Sequence, residues 1–222
     1  PEKVPQPLVE QLREGGRMII PVGERYQQTL YSFTKQNGEL QQEALRPTLF
    51  VPMTGTAEDT RSVKPDPENP QIVNGDFESP SDDETLIPGW YYGRQLELEV
   101  QADGTQFVKF TNRELGRSSH LLQGLALDGR KVSRLKLSAK TKVDNVKPMQ
   151  NGRAAAMVIT FYDEKPAEAE SNWLGPYRGS NGWQADQKII RVPRDAREAI
   201  VRVGLLGATG VATFDDVSVS IP

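Results

Sequence analysis

The sequence predicts a mainly β protein: an antiparallel β-sandwich of jelly-roll type, preceded by a small α/β segment. Three observations carry that prediction. Residues 135–143 alternate Leu135, Leu137, Ala139, Thr141 and Val143 against Lys136, Ser138, Lys140 and Lys142. This is the period-two pattern of a strand with one dry and one wet face. Roughly nine such candidates follow residue 71, separated by Gly, Asn, Asp and Pro turns with no helical period between them. Ahead of them, the segment 54–70 reads TGTAEDTRSVKPDPENP, rich in Pro, acidic and hydroxyl residues and without apolar rhythm, which marks a linker. The expected organisation is therefore a first unit over 1–56, a linker over 57–70 and a larger unit over 71–222.

In the first unit, Leu8, Val9 and Leu12 form one short apolar helix face, and Gly15-Gly16 stops it. RMIIPV (17–22) is an unbroken apolar run, expected as a strand buried on both faces. QTLYSFTK (28–35) and ELQQEALRP (39–47) flank Asn37-Gly38, the strongest short hairpin signal, and TLFVPM (48–53) closes the segment. So few elements cover a doubly buried strand poorly, because small units bury little of their surface. This stretch is expected to be disordered, docked on the larger unit, or paired with another chain as a homo-oligomer. In the second unit the strand candidates are 72–77, 96–100, 105–111, 119–127, 135–143, 153–162, 186–192, 199–206 and 211–220.

Composition narrows the chemistry. The 222 residues carry 27 Lys and Arg against 30 Asp and Glu, a net charge of −3 with the signs interspersed. This is not the basic stripe of a nucleic-acid binder. No apolar run reaches the roughly 18 residues of a membrane span. Cys is absent and His120 is the one imidazole, so thiolate nucleophiles, disulfides and thiolate zinc sites are excluded, and any triad would need His120. Flanked by Leu121 and Leu122 in a strand, His120 reads as a satisfied structural histidine.

Two resemblances attach to particular residues. LVEQLREGGRMIIPVGERYQQTLYSF, followed by LRPTLFVPMTG, resembles the C-terminal end of protein-L-isoaspartate O-methyltransferases over about residues 4–55. The resemblance implies the remnant of a class I methyltransferase domain, S-adenosylmethionine as cofactor of a longer parent, and damaged, isoaspartyl-containing proteins as its substrates. The glycine-rich cofactor loop of that fold is not found; Gly204, Gly207 and Gly210 sit in a late strand-turn-strand context. A chain opening on Pro1 inside such a domain is expected to be a piece of a longer parent, and not to methylate by itself. VNGDFESP (73–80), IPGWYY (87–92) and GVATFDDVSVSIP (210–222) resemble carbohydrate-binding modules with a galactose-binding-like jelly roll over 72–222.

That second resemblance directs attention to two clusters. The first and last strands of such a fold are neighbours, so Asp76, Glu78, Asp215 and Asp216 are expected to converge; a structural calcium ion would relieve their repulsion. The resemblance favours Glu78 and Asp216 as ligands, and the alternative is that the side chains bond local backbone. The second cluster is SNWLGPYRGSNGW (171–183), expected as a surface loop whose Trp173, Tyr177, Arg178, Trp183 and Gln184 stack on and bond to a sugar. Either Trp is alternatively a plug for the end of the sandwich. Tyr92 is a further ligand candidate, whereas Trp90 reads as core. The carboxylate pairs Asp82-Asp83 and Glu97/Glu99 read as solvated surface rather than a glycosidase pair. The resulting expectation is non-catalytic carbohydrate binding, appended to a methyltransferase of the repair type. The alternative is an accessory domain that presents substrate proteins or drives oligomerisation.

Overall fold

The computed structural model describes residues 1–49, 64–81, 86–164 and 168–222, and the chain divides into two compact units, 1–65 and 66–222. In the first unit, helix α1 (Gln6–Gln11) begins with Pro7 in its first turn and ends at Leu12, before Gly15-Gly16. Three strands follow as an antiparallel sheet in the order β1 (Arg17–Glu24), β2 (Gln27–Gln36), β3 (Glu39–Thr48). Asn37 (φ 53°) and Gly38 (φ 80°) form the predicted turn, where the left-handed region is required at both positions. The Glu14 carboxylate accepts both of their N–H groups, that of Gly38 at 3.1 Å. Unlike the expectation for RMIIPV, β1 is not buried on both faces. Among the described residues it pairs only with β2, and Ile19 is 58% exposed. Most of TLFVPM lies outside the described residues.

The second unit is a sandwich of two antiparallel sheets. One holds five strands in the order β10 (Gly179–Arg191), β7 (Arg134–Lys147), β12 (Thr209–Ser220), β5 (Gln106–Asn112), β4 (Leu96–Val100). The other holds four, in the order β6 (Ser118–Ala126), β11 (Glu198–Leu206), β8 (Ala155–Tyr162), β9 (Glu168–Tyr177). From β5 onward the chain passes between the two sheets in the jelly-roll manner at every step except β8 to β9, which pair as neighbours in one sheet. The alternation read in the sequence places Leu135, Leu137, Ala139 and Val143 of β7 inward. They meet Val108 and Phe110 of β5, Phe214 of β12, Met157, Ile159 and Phe161 of β8, and Val201, Val203 and Leu205 of β11, all buried. Each side chain of this size contributes about 1.5–3 kcal/mol by leaving water. Among the described residues no helix is long and apolar enough to cross a membrane.

Two strand expectations change. Residues 72–77 form no strand; they are a looped segment held by side chains. Gln123 accepts from the Val73 N–H at 2.8 Å and donates to its carbonyl at 3.0 Å, while the Trp90 indole N–H donates to the Asn74 carbonyl at 2.8 Å. Asn74 (φ 52°) and Phe77 (φ 59°) make the reversals that turn Phe77 fully into the core against Trp90. Gly75 is needed because a Cβ would collide with the Val217 carbonyl, which accepts no such approach while the Val217 N–H donates to the Gly75 carbonyl at 2.8 Å. Conversely, the expected loop 171–183 is two strands, β9 and the start of β10, joined at Arg178.

Candidate functional site

The acidic cluster is dispersed among protein donors. Glu78 accepts from the backbone N–H of Gln106 at 2.7 Å and from its side chain at 3.4 Å. Asp76 is exposed and accepts a long bond from the Glu78 N–H, at 3.4 Å. A bulge in β12 (Asp216, φ 47°) turns the Asp216 carboxylate onto the Lys140 ammonium at 2.6 Å, and Asp215 accepts from the Asp216 N–H at 2.7 Å. Burial, with the charges of Asp216 and Glu78 adding to it, pushes the Asp215 carboxyl above its ordinary range, against the N–H of Asp216 and the charge of Lys140. Among the described residues no three His, Cys, Asp or Glu side chains gather as a metal cage. As placed, Asp76, Glu78, Asp215 and Asp216 therefore do not fit the calcium ion expected of them. The positive charge beside Asp216 is Lys140, which the alternation of β7 puts on the same sheet face.

The five ligand candidates of residues 171–184 are not brought together. Tyr177 is 5% exposed, packs its ring on Phe214 and donates its hydroxyl to Asp186 at 3.3 Å. It belongs to the core, and burial beside Asp186 drives its hydroxyl to titrate far above normal. Trp173 stands opposite Val158 on the outer face of the four-stranded sheet. Arg178 lies at the crossing between sheets and donates to the Gly152 carbonyl at 3.0 Å. Trp183 and Gln184 lie within β10 in the other sheet, both exposed. Two consecutive strands of opposite sheets, rather than one loop, separate the two Trp residues. Tyr92 (φ 55°) is 46% exposed, away from these groups in sequence and outside any strand, while Trp90 is buried as expected.

What the structure does assemble is the outer face of the five-stranded sheet. A bulge sets Gly182 and Trp183 opposite Lys142 of β7; Lys142 pairs in register with Thr213 of β12, and Thr213 with Lys109 of β5. The rings of Trp183 and Phe107 meet edge to face at 5.4 Å, although β10 and β5 are separated by β7 and β12. Only a concave face lets two side chains close that gap. The closure accounts for the burial of the outward-facing Thr213 (5%) and Asp215 (8%) on the strand between them. Trp183 itself remains 42% exposed. Next to this pair is a shallow hollow of about 400 Å³ bordered by Ser138, Lys140, Asp186, Gln187 and Asp216, a mixture of hydrogen-bond donors and acceptors. At the far edge, Lys109 is held by Glu97 at 2.9 Å and Glu99 at 2.5 Å, which raises its affinity for the proton and engages both carboxylates. Asp82-Asp83 lies outside the described residues.

Phe107 escapes sequence reading because nothing in QFVKF distinguishes an outward Phe from an inward one until the register is known. His120, on β6, is half-buried with its Nδ1 lacking a hydrogen-bond partner among the described residues, so it is not the satisfied histidine expected. Burial, and then the charges of Arg202 and Arg94, hold its pKa below normal.

Comparison with known proteins treats the two units differently. Residues 1–58 match the family Protein-L-isoaspartate(D-aspartate) O-methyltransferase (PCMT). The protein-L-isoaspartate O-methyltransferase of Dictyoglomus turgidum is 50% identical over 52 residues, 23% of this chain and 24% of that one. That of Hyperthermus butylicus is 45% identical over 53 residues, 23% and 22% of the two chains. The chain thus spans about a quarter of the length of these curated relatives. Among solved structures, the enzymatically active domain of bacteriophage CBA120 tailspike protein 4 superposes with a TM-score of 0.50 at 15% identity, over 68% of this chain and 21% of that one. This likeness is one of fold. A family 16 carbohydrate binding module (TM-score 0.46, 20% identity, 67% and 97% of the chains) and a CBM4 module (0.47, 20%, 68% and 99%) are further neighbours.

Proposed function

We propose that residues 66–222 form a non-catalytic carbohydrate-binding module whose ligand lies on the concave face of the five-stranded sheet. The observation that carries this reading is the Trp183–Phe107 pair, an exposed indole fixed by a second ring beside a hollow to which Ser138, Lys140, Gln187 and Asp216 bring polar side chains. An anchored aromatic surface stacks on the C–H face of a sugar ring, and side chains that offer both donors and acceptors suit hydroxyl groups, which need both. A shallow, open surface of this kind implies modest affinity. Catalysis is not part of the reading, because the chain has no thiol and its single imidazole stands on the opposite sheet.

The reading extends to the longer protein. Residues 1–58 would complete the methyltransferase domain of a parent that uses S-adenosylmethionine to methylate isoaspartyl sites in damaged proteins, with the module attached behind it. The match of those residues to that family supports this part. Retention on a panel of immobilised neutral glycans tests the module: Trp183→Ala and Phe107→Ala are each expected to weaken retention about tenfold, roughly 1.4 kcal/mol. No retention on any glycan, or retention unchanged in both variants, would overturn the reading.

A further inference from the structure

The opposite face of the sandwich carries a second aromatic surface with different chemistry. Trp173 of β9 packs over Ala156, Val158 and Leu206 on the outer face of the four-stranded sheet. Ala156 and Val158 are fully buried although they point away from the sandwich core, so the indole covers them. The Trp173 carbonyl accepts from the Lys188 ammonium at 3.0 Å, which fixes the edge strand that carries it. Trp173 also borders a hollow of about 410 Å³, lined besides by Asn151, Gly152, Arg153 and Pro176. Arg178 reaches the lining residue Gly152, whose carbonyl accepts from its Nη2 at 3.0 Å, one of the five N–H donors that a guanidinium carries.

Two guanidiniums stand at this rim. Arg153 and Arg178 are both exposed and have no ion pair with any of the described residues. Two unpaired guanidiniums beside a flat, immobilised indole match a ligand with an apolar ring face and a planar anion on its edge. Guanidinium binds carboxylate in a two-pronged geometry that ammonium cannot reproduce.

We propose that the hollow beside Trp173 is a second binding site, for the uronate units of an acidic polysaccharide. It is separate from the concave face of the five-stranded sheet and independent of the reading given to that face. The sugar ring stacks on Trp173, and its carboxylate is held between Arg153 and Arg178.

Affinity electrophoresis of the full chain in gels containing polygalacturonate, a neutral glycan, or single-stranded DNA tests the proposal, with thermal melts to confirm folding. The double substitution Arg153→Gln/Arg178→Gln removes two exposed charges and the hydrogen bond from Arg178 to the Gly152 carbonyl, a surface contact, and is expected to fold as the unaltered chain does. It should weaken polygalacturonate binding at least tenfold and leave neutral-glycan retention unchanged. Trp183→Ala should leave polygalacturonate binding unchanged, so failure on the neutral glycan and failure here are separate results. Raising salt should weaken binding to polygalacturonate alone. The proposal is overturned if the chain ignores polygalacturonate, if the double variant binds it as well as the parent, or if DNA is retained equally, which would mark a general anion surface.

Discussion

The two outer faces of the sandwich are built by the same alternation and end up physically opposite. On the five-stranded sheet, the outward residues of β7 are Lys136, Ser138, Lys140 and Lys142, all at least partly exposed. On the four-stranded sheet, the outward residues of the central strand β8 are Ala156, Val158 and Thr160, all fully buried. The covering groups come from neighbouring strands: Trp173 packs on Val158, and Arg202 lies over Thr160, donating to its hydroxyl at 3.1 Å. One face is therefore a wet concavity with an aromatic pair across it, and the other a paved surface. A strand's pattern states how its own side chains alternate, whereas the length of neighbouring side chains decides whether an outward position meets water.

A charge placed on the paved face and one removed from the wet face break this contrast most directly. Val158→Asp buries an unpaired carboxylate and is expected to cost more than about 3 kcal/mol in denaturant unfolding, while Lys142→Gln on the other face should stay within about 0.5 kcal/mol. Tolerance of Val158→Asp would mean that the covering side chains move aside readily. A second contrast lies in pH, where one titratable group on each face should act with opposite sign. His120 is held below its ordinary 6.5 by burial, Arg202 and Arg94, so the native state binds fewer protons than the unfolded chain. Stability is then fully present above pH 6.5 and declines as pH falls through that value towards the folded pKa. Asp215 is raised above 3.8, chiefly by burial, so its native state holds the proton longer, and stability declines as pH rises from 3.8 through the folded value. Thermal melts across pH should show His120→Gln flattening the first decline and Asp215→Asn the second; an unaltered profile in either variant would discard that group's share. The smallest expected effect is that of calcium. With Asp216 held by Lys140 and Glu78 by Gln106, adding calcium or chelator should move the melting temperature by less than about 1 °C, and a shift of several degrees would mean the carboxylates regroup around the ion.

The sequence made the period-two strands legible because polar and apolar residues alternate: β12 is read almost to its ends over 211–220, and β7 over 135–143, four residues short of Lys147. The Asn37-Gly38 hairpin is legible for the same local reason, since few residue pairs tolerate its backbone. The misread parts depend on distant partners. NGDFE looks like a strand because Ile72, Val73 and Phe77 are apolar, but its backbone groups are taken by Gln123 and Trp90, whose positions are set by other elements. SNWLGPYRGSNGW looks like a loop because Gly, Ser, Asn and Pro are poor strand formers. Tertiary pairing with β8 and β7 overrides that preference. The proposed site follows the same rule. Trp183 was recognisable as an exposed aromatic, while its partner Phe107 depends on the curvature of a whole sheet.

The passage from β9 to β10 through Arg178 alone sets a constraint of parity on this molecule's descent. Inserting one residue there would rotate every later side chain of β10 by half a turn, sending Trp183 and Gln187 towards the core and Gln184 and Asp186 outward. Inserting two would preserve the facing while lengthening the crossing. Lineages that vary at this turn should therefore differ in length by even numbers, unless a compensating bulge restores the count, as the one at Gly182-Trp183 shows this strand can hold.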